Sequence, residues 1–413
     1  MINTAAEKRE MVVRMRKAAG FSLVEIMVAM VIGLVTTIVI MQSFAAFEGQ
    51  KRTTTTSSDT LGNGLIALQA IEGDARMAGH GLVTPKGLAC ISMKWYEDSV
   101  SGTSLIAPVI VADSAAASGV SDTVTFTYAT SPIAGTPSKL NADMPDAMAD
   151  PDIDNSVGFT IDQDLFLAVA PIASPGTSVA QTPCVRLAYT SSSASPVAIY
   201  NSSDPNFFPV GGYPANSGFV INIGSGLNGA AGFVRTQYGP SNNDLLMTDV
   251  SHMGAAGAPQ NSIVLASNIV NIQAQYGVAS ANSNPGNSSP AISCWTDATG
   301  NGCASGSGDW ANPNASDIMR IKAIRLAVVA RSTLQEKPNA ATGACDASKQ
   351  NPDNDATLPA GTWRRAWVND LTAFPGSSSG PVIDLSAIPN WQCYRYRVYE
   401  TVIPLRNVVW ANI

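Results

Sequence analysis

From Ile26 to Phe47 the chain runs 22 residues without a charged side chain. A helix over this stretch would be roughly 33 Å long, enough to cross the hydrocarbon layer of a bilayer. Polar residues take over at 48–60, with Thr53 to Thr56 in a row; such β-branched residues weaken a helix without ending it. Leu61, Leu65, Leu68, Ile71, Ala75 and Ala78 then recur at steps of three and four, which predicts an amphipathic helical stretch with one apolar stripe. Gly79-His80-Gly81 provides the glycine that favours a helix end. Beyond residue 83 the period falls to two. Asp122–Tyr128 alternates, with Val124, Phe126 and Tyr128 on one face, and further strands are expected at 104–111, 164–170, 184–190, 218–223, 232–238, 262–277, 320–330 and 393–405. Loops rich in Ser, Asn, Gly and Pro separate them, notably 279–316 and 338–361. The pattern predicts an α+β chain, a long N-terminal transmembrane and amphipathic helix followed by a large antiparallel β-rich domain.

Charge gives this plan a direction. Residues 1–20 carry Lys8, Arg9, Arg14, Arg16 and Lys17 against Glu7 and Glu10, a net of +3, so the chain without them carries −10 where the whole carries −7. Positive charge before the apolar run places the N-terminus in the cytoplasm and the β-rich domain outside. A body this acidic argues against a nucleic-acid partner, which needs a basic face. Hydrophobic content of 45% and charge of 13% allow a sizeable core. A secretory signal cut near Ser43-Phe44-Ala45 would have far too long an apolar region. A plain anchor accounts for the length but not for Glu25, a lone carboxylate at the entrance of the span.

The stretch Lys17-Ala18-Ala19-Gly20-Phe21-Ser22-Leu23-Val24-Glu25 resembles the processing site of type IV prepilins. That resemblance implies cleavage after Gly20 by a prepilin peptidase, N-methylation of Phe21, and an assembly role for Glu25, paired with the N-terminal amine of a neighbouring subunit. Read from Met15, the leader would have the length usual among type IVa pilins. Ile71–Gly79, with Asp74, Arg76, Ala78 and Gly79, resembles the Asp-x-Arg-x-Ala-Gly signature of the PilW family of large minor pilins. A solvent-facing ion pair at a helix end would account equally for Asp74 and Arg76. Ile269–Gly277, Ile324–Ser332 and the closing Tyr394–Asn407 extend the likeness, while residues 84–260 add nothing to it. The implied organisation is a cleaved leader (1–20), an assembly helix (21–48), an amphipathic helical segment (49–82) and an exported domain (83–413) of type IV pilin-like fold. The implied partners are prepilin peptidase, other major and minor pilins in a hetero-oligomeric fibre, and an inner-membrane assembly platform. The implied place is the inner membrane of a Gram-negative-type bacterium, single-pass, and then the pilus. The implied role is a non-enzymatic minor pilin of pilus assembly, in the priming or tip complex. Two other readings stay open: a minor pseudopilin of a type II secretion system, and a pilus-associated adhesin.

Six cysteines lie on the exported side, an even number that suggests disulfides. Cys294 and Cys303 close a short glycine-rich loop and are the favoured pair; Cys345 with Cys393 and Cys90 with Cys184 then follow by elimination. A zinc site would lack any C-x-x-C pair and could draw only on His80 and His252, so no metal or other cofactor is expected. Asp150, Asp152 and Asp154 have calcium-loop spacing, but Asn155 stands at the turn-glycine position and Ile161 where a bidentate glutamate belongs, so a solvated acidic loop is the better reading. Gly224-Ser-Gly-Leu-Asn-Gly229 matches a dinucleotide fingerprint, yet the residues after it read as strand, which makes it a hairpin turn. Asp249, Ser251 and His252 are neighbours in sequence, and no nucleophile elbow accompanies them.

Overall fold

The computed structural model describes residues 20–413 apart from 85–86, 90, 98–99, 114–118, 147–148, 150, 160–163, 170–183, 193–194, 199–210, 217, 226–231, 252–260, 281–290, 300–301, 340, 368–378 and 411–413. Helix α1 (Leu23–Met77) is one uninterrupted helix of 55 residues. The chain divides into two compact units, one through Thr55 and one from Thr56. The first holds the apolar half of α1, whose most apolar window has none of its residues buried. Thr36 and Thr37 are two polar residues in the middle of the apolar run. Their hydroxyls donate to the carbonyls of Ile32 (2.7 Å) and Gly33 (2.8 Å), so neither carries an open donor into its surroundings.

The second unit is β-rich. After a short hairpin, β1 (Val83–Thr84) and β2 (Gly87–Leu88), come β3 (Ser92–Glu97), β4 (Val100–Leu105), β5 (Val109–Ala112) and β6 (Thr123–Ala129). The chain continues through β7 (Ser138–Lys139), β8 (Asp164–Val169), β9 (Cys184–Ser192), β10 (Ser195–Ala198), β11 (Phe219–Ser225), β12 (Phe233–Ser241) and β13 (Asp244–Asp249). It then forms β14 (Ser262–Ser267), β15 (Ile269–Ala279), β16 (Ile292–Thr296), α2 (Ala315–Arg320), β17 (Ile321–Arg331), β18 (Arg364–Arg365), β19 (Val382–Ile383), β20 (Tyr396–Pro404) and α3 (Arg406–Trp410). Among the described residues, besides the two-stranded pairs β1-β2 and β18-β19, there is a seven-stranded sheet ordered β4-β3-β9-β8-β11-β7 with β10 on β9, a five-stranded one ordered β14-β13-β12-β6-β5, and a four-stranded one ordered β16-β15-β17-β20. Pairing is antiparallel except where β3 runs parallel to β9 at Met93 and Lys94.

The four-stranded sheet is covered on both faces, which explains why β17 reads as an unbroken apolar run and not as an alternation. Ile324, Leu326 and Val328 join Ala67, Ile71 and Ala75 of α1 and Ala78 just after it in the main core, together with Val124 and Phe126 of the five-stranded sheet. Ala327 and Val329 point the other way, into a second cluster closed by Trp363, Trp367, Ile383 and Leu385. Two expected strands are split. Residues 262–277 break at Asn268, whose left-handed backbone (φ 59°) carries the chain from the five-stranded to the four-stranded sheet. Residues 104–111 break between Leu105 and Val109, where Pro108 lacks the N–H a ladder needs. The expected hairpin at Gly224–Gly229 is also corrected: the flanking strands β11 and β12 belong to different sheets, and residues 226–229 lie outside the described residues.

The α1 stripe differs most from expectation. The buried positions are Thr56, Thr60, Gly64, Ala67, Ile71, Ala75 and Ala78, whereas Leu61 and Leu65 are exposed. The steps of three and four are as read, but the helix is turned so that its small residues meet the sheets. Size decides this: a Cβ at Gly64 would run into the ring of Tyr399, so the backbone approaches closely where a leucine could not.

Lys322 is a charged residue in the middle of this packing. It is the extra residue of a β-bulge, since Gly277 faces Ala323 and Val278 faces Ile321. Its side chain is 1% exposed and its Nζ has no hydrogen-bond partner among the described residues. Burial lowers its pKa to about 8. The unfolded chain therefore binds more protons than the folded one between about pH 8 and the ordinary lysine pKa. Stability should rise across that window and stay flat below it. Lys322→Met is expected to stabilise the protein by roughly 1–3 kcal/mol at pH 7. The gain should shrink by pH 10, as measured by urea denaturation of the full-length chain in neutral detergent at the two pH values.

Candidate functional site

The N-terminal end of α1 carries the residues singled out by sequence. Gly20 and Phe21 precede the helix in irregular backbone, and Phe21 is 79% exposed. Glu25 lies in the first turn of α1, where the unpaired N–H groups of a helix start favour a carboxylate. The N–H of Ile26 closes that turn on the carbonyl of Ser22 at 3.2 Å. Residues 1–19 lie outside the described residues, and the leader with them. What the geometry presents is an exposed apolar helix with one carboxylate in its first turn. Such a surface is stable only when lipid or other apolar helices cover it.

From Thr56 onward α1 is held by a set of specific contacts. Asp74 accepts hydrogen bonds from two phenols on neighbouring strands, Tyr128 of β6 at 2.9 Å and Tyr238 of β12 at 2.8 Å, one on each carboxylate oxygen. Burial, and after it the negative charge of Asp74, pushes both phenols well above their ordinary pKa, so both remain donors. Arg76 pairs with Glu72 one turn earlier, not with Asp74. The signature around Asp74 and Arg76 is thus two features: an exposed intrahelical ion pair of small energetic weight, and a charged hydrogen-bond anchor to the sheet. At the helix end, Gly79 and Gly81 take positive φ (82° and 72°). The side-chain amide of Asn407 donates toward the carbonyls of Met77 (3.0 Å) and Ala78 (3.1 Å). A residue from the opposite end of the sequence therefore reaches the last carbonyls of the helix, where intrahelical partners run out; that of Met77 also accepts the N–H of His80 at 3.0 Å. Near Thr56 the hydroxyl of Tyr399 donates to the carbonyl of Thr60 (3.2 Å) while its ring covers Gly64. Sequence reasoning missed Tyr128, Tyr238 and Tyr399 as helix anchors. The usable signal was Asp74 itself, a carboxylate on the same helical face as Ile71, Ala75 and Ala78.

Disulfides join Cys294 to Cys303 and Cys345 to Cys393, with Cα atoms 5.9 and 4.7 Å apart. The first lies beside a buried ion pair, in which Arg320 meets Asp317 at 3.2 Å and donates to the carbonyls of Cys303 and Ala304. Cys184 is fully buried, Cys90 lies outside the described residues, and no described cysteine is a free thiol. Asp154 accepts from the N–H of Lys139 (3.0 Å) and Asp152 from the Asn141 amide (3.3 Å), while Asp150 lies outside the described residues. No cluster of three metal-binding side chains occurs among the described residues. Asp249 accepts both the N–H and the hydroxyl of Ser251 in a local turn; His252 lies outside the described residues.

The helix anchor gives a direct test. Asp74→Ala leaves one buried phenol (Tyr238) and one half-buried phenol (Tyr128) without this acceptor and is expected to cost roughly 2–4 kcal/mol. Asp74→Asn, which keeps one acceptor oxygen, should cost less than half of that. Tryptophan fluorescence during urea unfolding of the full-length chain in neutral detergent reads the difference.

Two family models match the chain. The model for type IV pilus-assembly protein W covers residues 233–407, from β12 through the whole four-stranded sheet to Asn407, and the prokaryotic N-terminal methylation motif covers residues 15–41. No curated protein and no solved structure matches. An apolar N-terminal helix carrying the methylation motif, followed by a β-rich domain whose residues 233–407 match the PilW model, supports a type IV pilin similar to the PilW family.

Proposed function

We propose that the protein is a minor pilin that takes part in assembling a type IV pilus, in its priming or tip complex. The observation that carries this reading is Glu25, the carboxylate in the first turn of α1, just before an uncharged, uncovered run from Ile26 to Phe47. A lone charge entering an apolar environment is unfavourable by a few kcal/mol, about 3 on insertion scales. An amine close by in the same environment repays that cost, because opposite charges attract strongly where the dielectric is low. Hydrolysis of the Gly20–Phe21 peptide bond by prepilin peptidase would create such an amine on every subunit, and methylation would leave it basic. The proposed sequence is insertion with the N-terminus in the cytoplasm, cleavage and N-methylation at Phe21, residence of α1 in the inner membrane, and transfer into a bundle of pilin helices through the Glu25–amine contact. The second unit would then face major and minor pilins at the growing end. The match of residues 233–407 to a pilus-assembly family model supports the pilus over a secretion pseudopilus as the destination.

Mass spectrometry of the mature N-terminus, from membranes and from sheared fibres, tests processing and destination together. The expected result is N-methylated Phe21 in both fractions, and an intact residue 1–20 segment would overturn the reading. Glu25→Ala is expected to be cleaved nearly normally and to lower the amount of the protein in sheared fibres at least tenfold. Wild-type levels in the fibre would remove the role given to Glu25.

A further inference from the structure

A cleft of about 270 Å³ opens between the Thr56–Thr60 turn of α1 and the start of β20, and no role described above uses it. Its size falls just below the ~300 Å³ at which pockets for drug-sized ligands begin, so it suits a small polar group. Arg395 and Arg397 line it, alternating along the chain with Tyr396, and therefore share the strand face that directs Tyr399 toward α1. Ser57 and Thr60 line the helix side, and Ser332 and Ser348 the remainder. No acidic residue lines the cleft, although the chain as a whole carries −7.

The hydrogen-bond accounting leaves positive charge available. The hydroxyls of Thr60, Ser332 and Ser348 already donate to the carbonyls of Thr56, Leu334 and Tyr394. The Nε of Arg395 goes to Glu336 at 2.8 Å, which leaves the two terminal nitrogens of that guanidinium. Arg397 is exposed and reaches the Tyr399 hydroxyl. The site is also built: the segment bearing Ser348 is tied to the start of β20 by the Cys345–Cys393 disulfide and by the N–H of Ser348 on the carbonyl of Gln392 (3.1 Å). The two guanidiniums, and not the hydroxyls whose protons are already given, are matched to a tetrahedral oxyanion that accepts paired N–H groups.

We propose that this cleft binds a phosphate ester, with the phosphate held by Arg395 and Arg397 and its ester group against the Ser57–Thr60 wall. In the sequence that wall follows shortly after the apolar run ends at Phe47, with Lys51 and Arg52 between. Basic residues next to a membrane span gather anionic headgroups, which makes a lipid phosphate the source to test first. Free phosphate is the other source of the same chemistry.

Full-length protein in neutral detergent would be titrated in parallel with dihexanoyl phosphatidylglycerol, dihexanoyl phosphatidylcholine and inorganic phosphate, with thermal midpoint and native mass spectrometry as readouts. The expected result is a one-to-one phosphatidylglycerol adduct and a raised midpoint, with a much weaker response to the zwitterionic lipid. Arg395→Gln and Arg397→Gln should each weaken binding about tenfold. Ser57→Asp, at an exposed helix position, should abolish binding while leaving the ligand-free midpoint unchanged. A response to inorganic phosphate as strong as that to phosphatidylglycerol supports the site and assigns it to free phosphate. Equal responses to the two lipids, no response to any ligand, or binding that survives in Ser57→Asp and in the double arginine variant would each overturn the proposal.

Discussion

The carboxylate of Asp74 bonded by Tyr128 and Tyr238 fixes how α1 is turned, and most of the second unit follows from that. Two phenols from paired strands reach opposite oxygens of one side chain, so rotation of the helix about its axis would break at least one charged hydrogen bond. With that rotation set, Gly64, Ala67, Ile71, Ala75 and Ala78 meet the sheets, and Leu61 and Leu65 face away. Contact through glycine and alanine gives up much of the apolar area a leucine stripe would bury. In exchange the helix backbone comes within reach of Tyr399 and Asn407, which bond directly to its carbonyls.

The sequence showed clearly what depends on one period or one motif. The apolar run, the lone Glu25 and the processing stretch needed only local pattern, and most of the β strands stand within a few residues of where alternation or apolar runs place them. What it hid was set by tertiary partners. The apolar stripe at 61–78 was read from its leucines because hydrophobicity scales weight size, whereas the docked face was chosen by how closely a sheet could approach. Asn268 and Pro108 were visible as strand breakers but lay inside longer runs of strand-forming residues. The hairpin from β12 to β13 turns on Asn242 and Asn243, both with positive φ (52° and 67°). That pair is a recognised turn signal, yet Asp244–Asp249 shows no clean alternation to draw attention to the strand after it.

Charge in the four-stranded sheet was the least legible feature, because a sequence does not say which charges are buried. Arg325, on a strand covered on both faces, is 3% exposed and stacked between Trp295 and Trp367, with its centre 4.9 and 4.5 Å from the two rings. Its guanidinium bonds to Gln275, which in turn donates to Asp297 at 2.5 Å. Arg320 has Asp317 and three backbone carbonyls. Both arginines follow the rule that a buried charge is tolerated when paired or stacked. Lys322, between them in sequence at the start of β17, has neither among the described residues, and the depressed pKa of its amine is the physical result. The three lie within six residues, from the end of α2 into β17, and share one charge on paper. Only their partners separate them.

The same long-range dependence bears on the order in which the molecule completes itself. Every partner that fixes the half of α1 from Thr56 comes later in the chain: Tyr128, Tyr238, Tyr399 and finally Asn407, some 330 residues after the carbonyls it caps. Contacts of such separation form late, because the loop must close before the contact repays it. During synthesis the small-residue face of this segment therefore stays uncovered until the last strand and α3 are made. Leucines on that face would leave a sticky apolar stripe exposed for the whole interval, next to an apolar run that must remain uncovered. Alanine and glycine leave little to aggregate. The stripe that misled a reading based on hydrophobicity is in this sense suited to a helix whose first half must find partners outside its own chain, while its second half waits for the end of its own sequence.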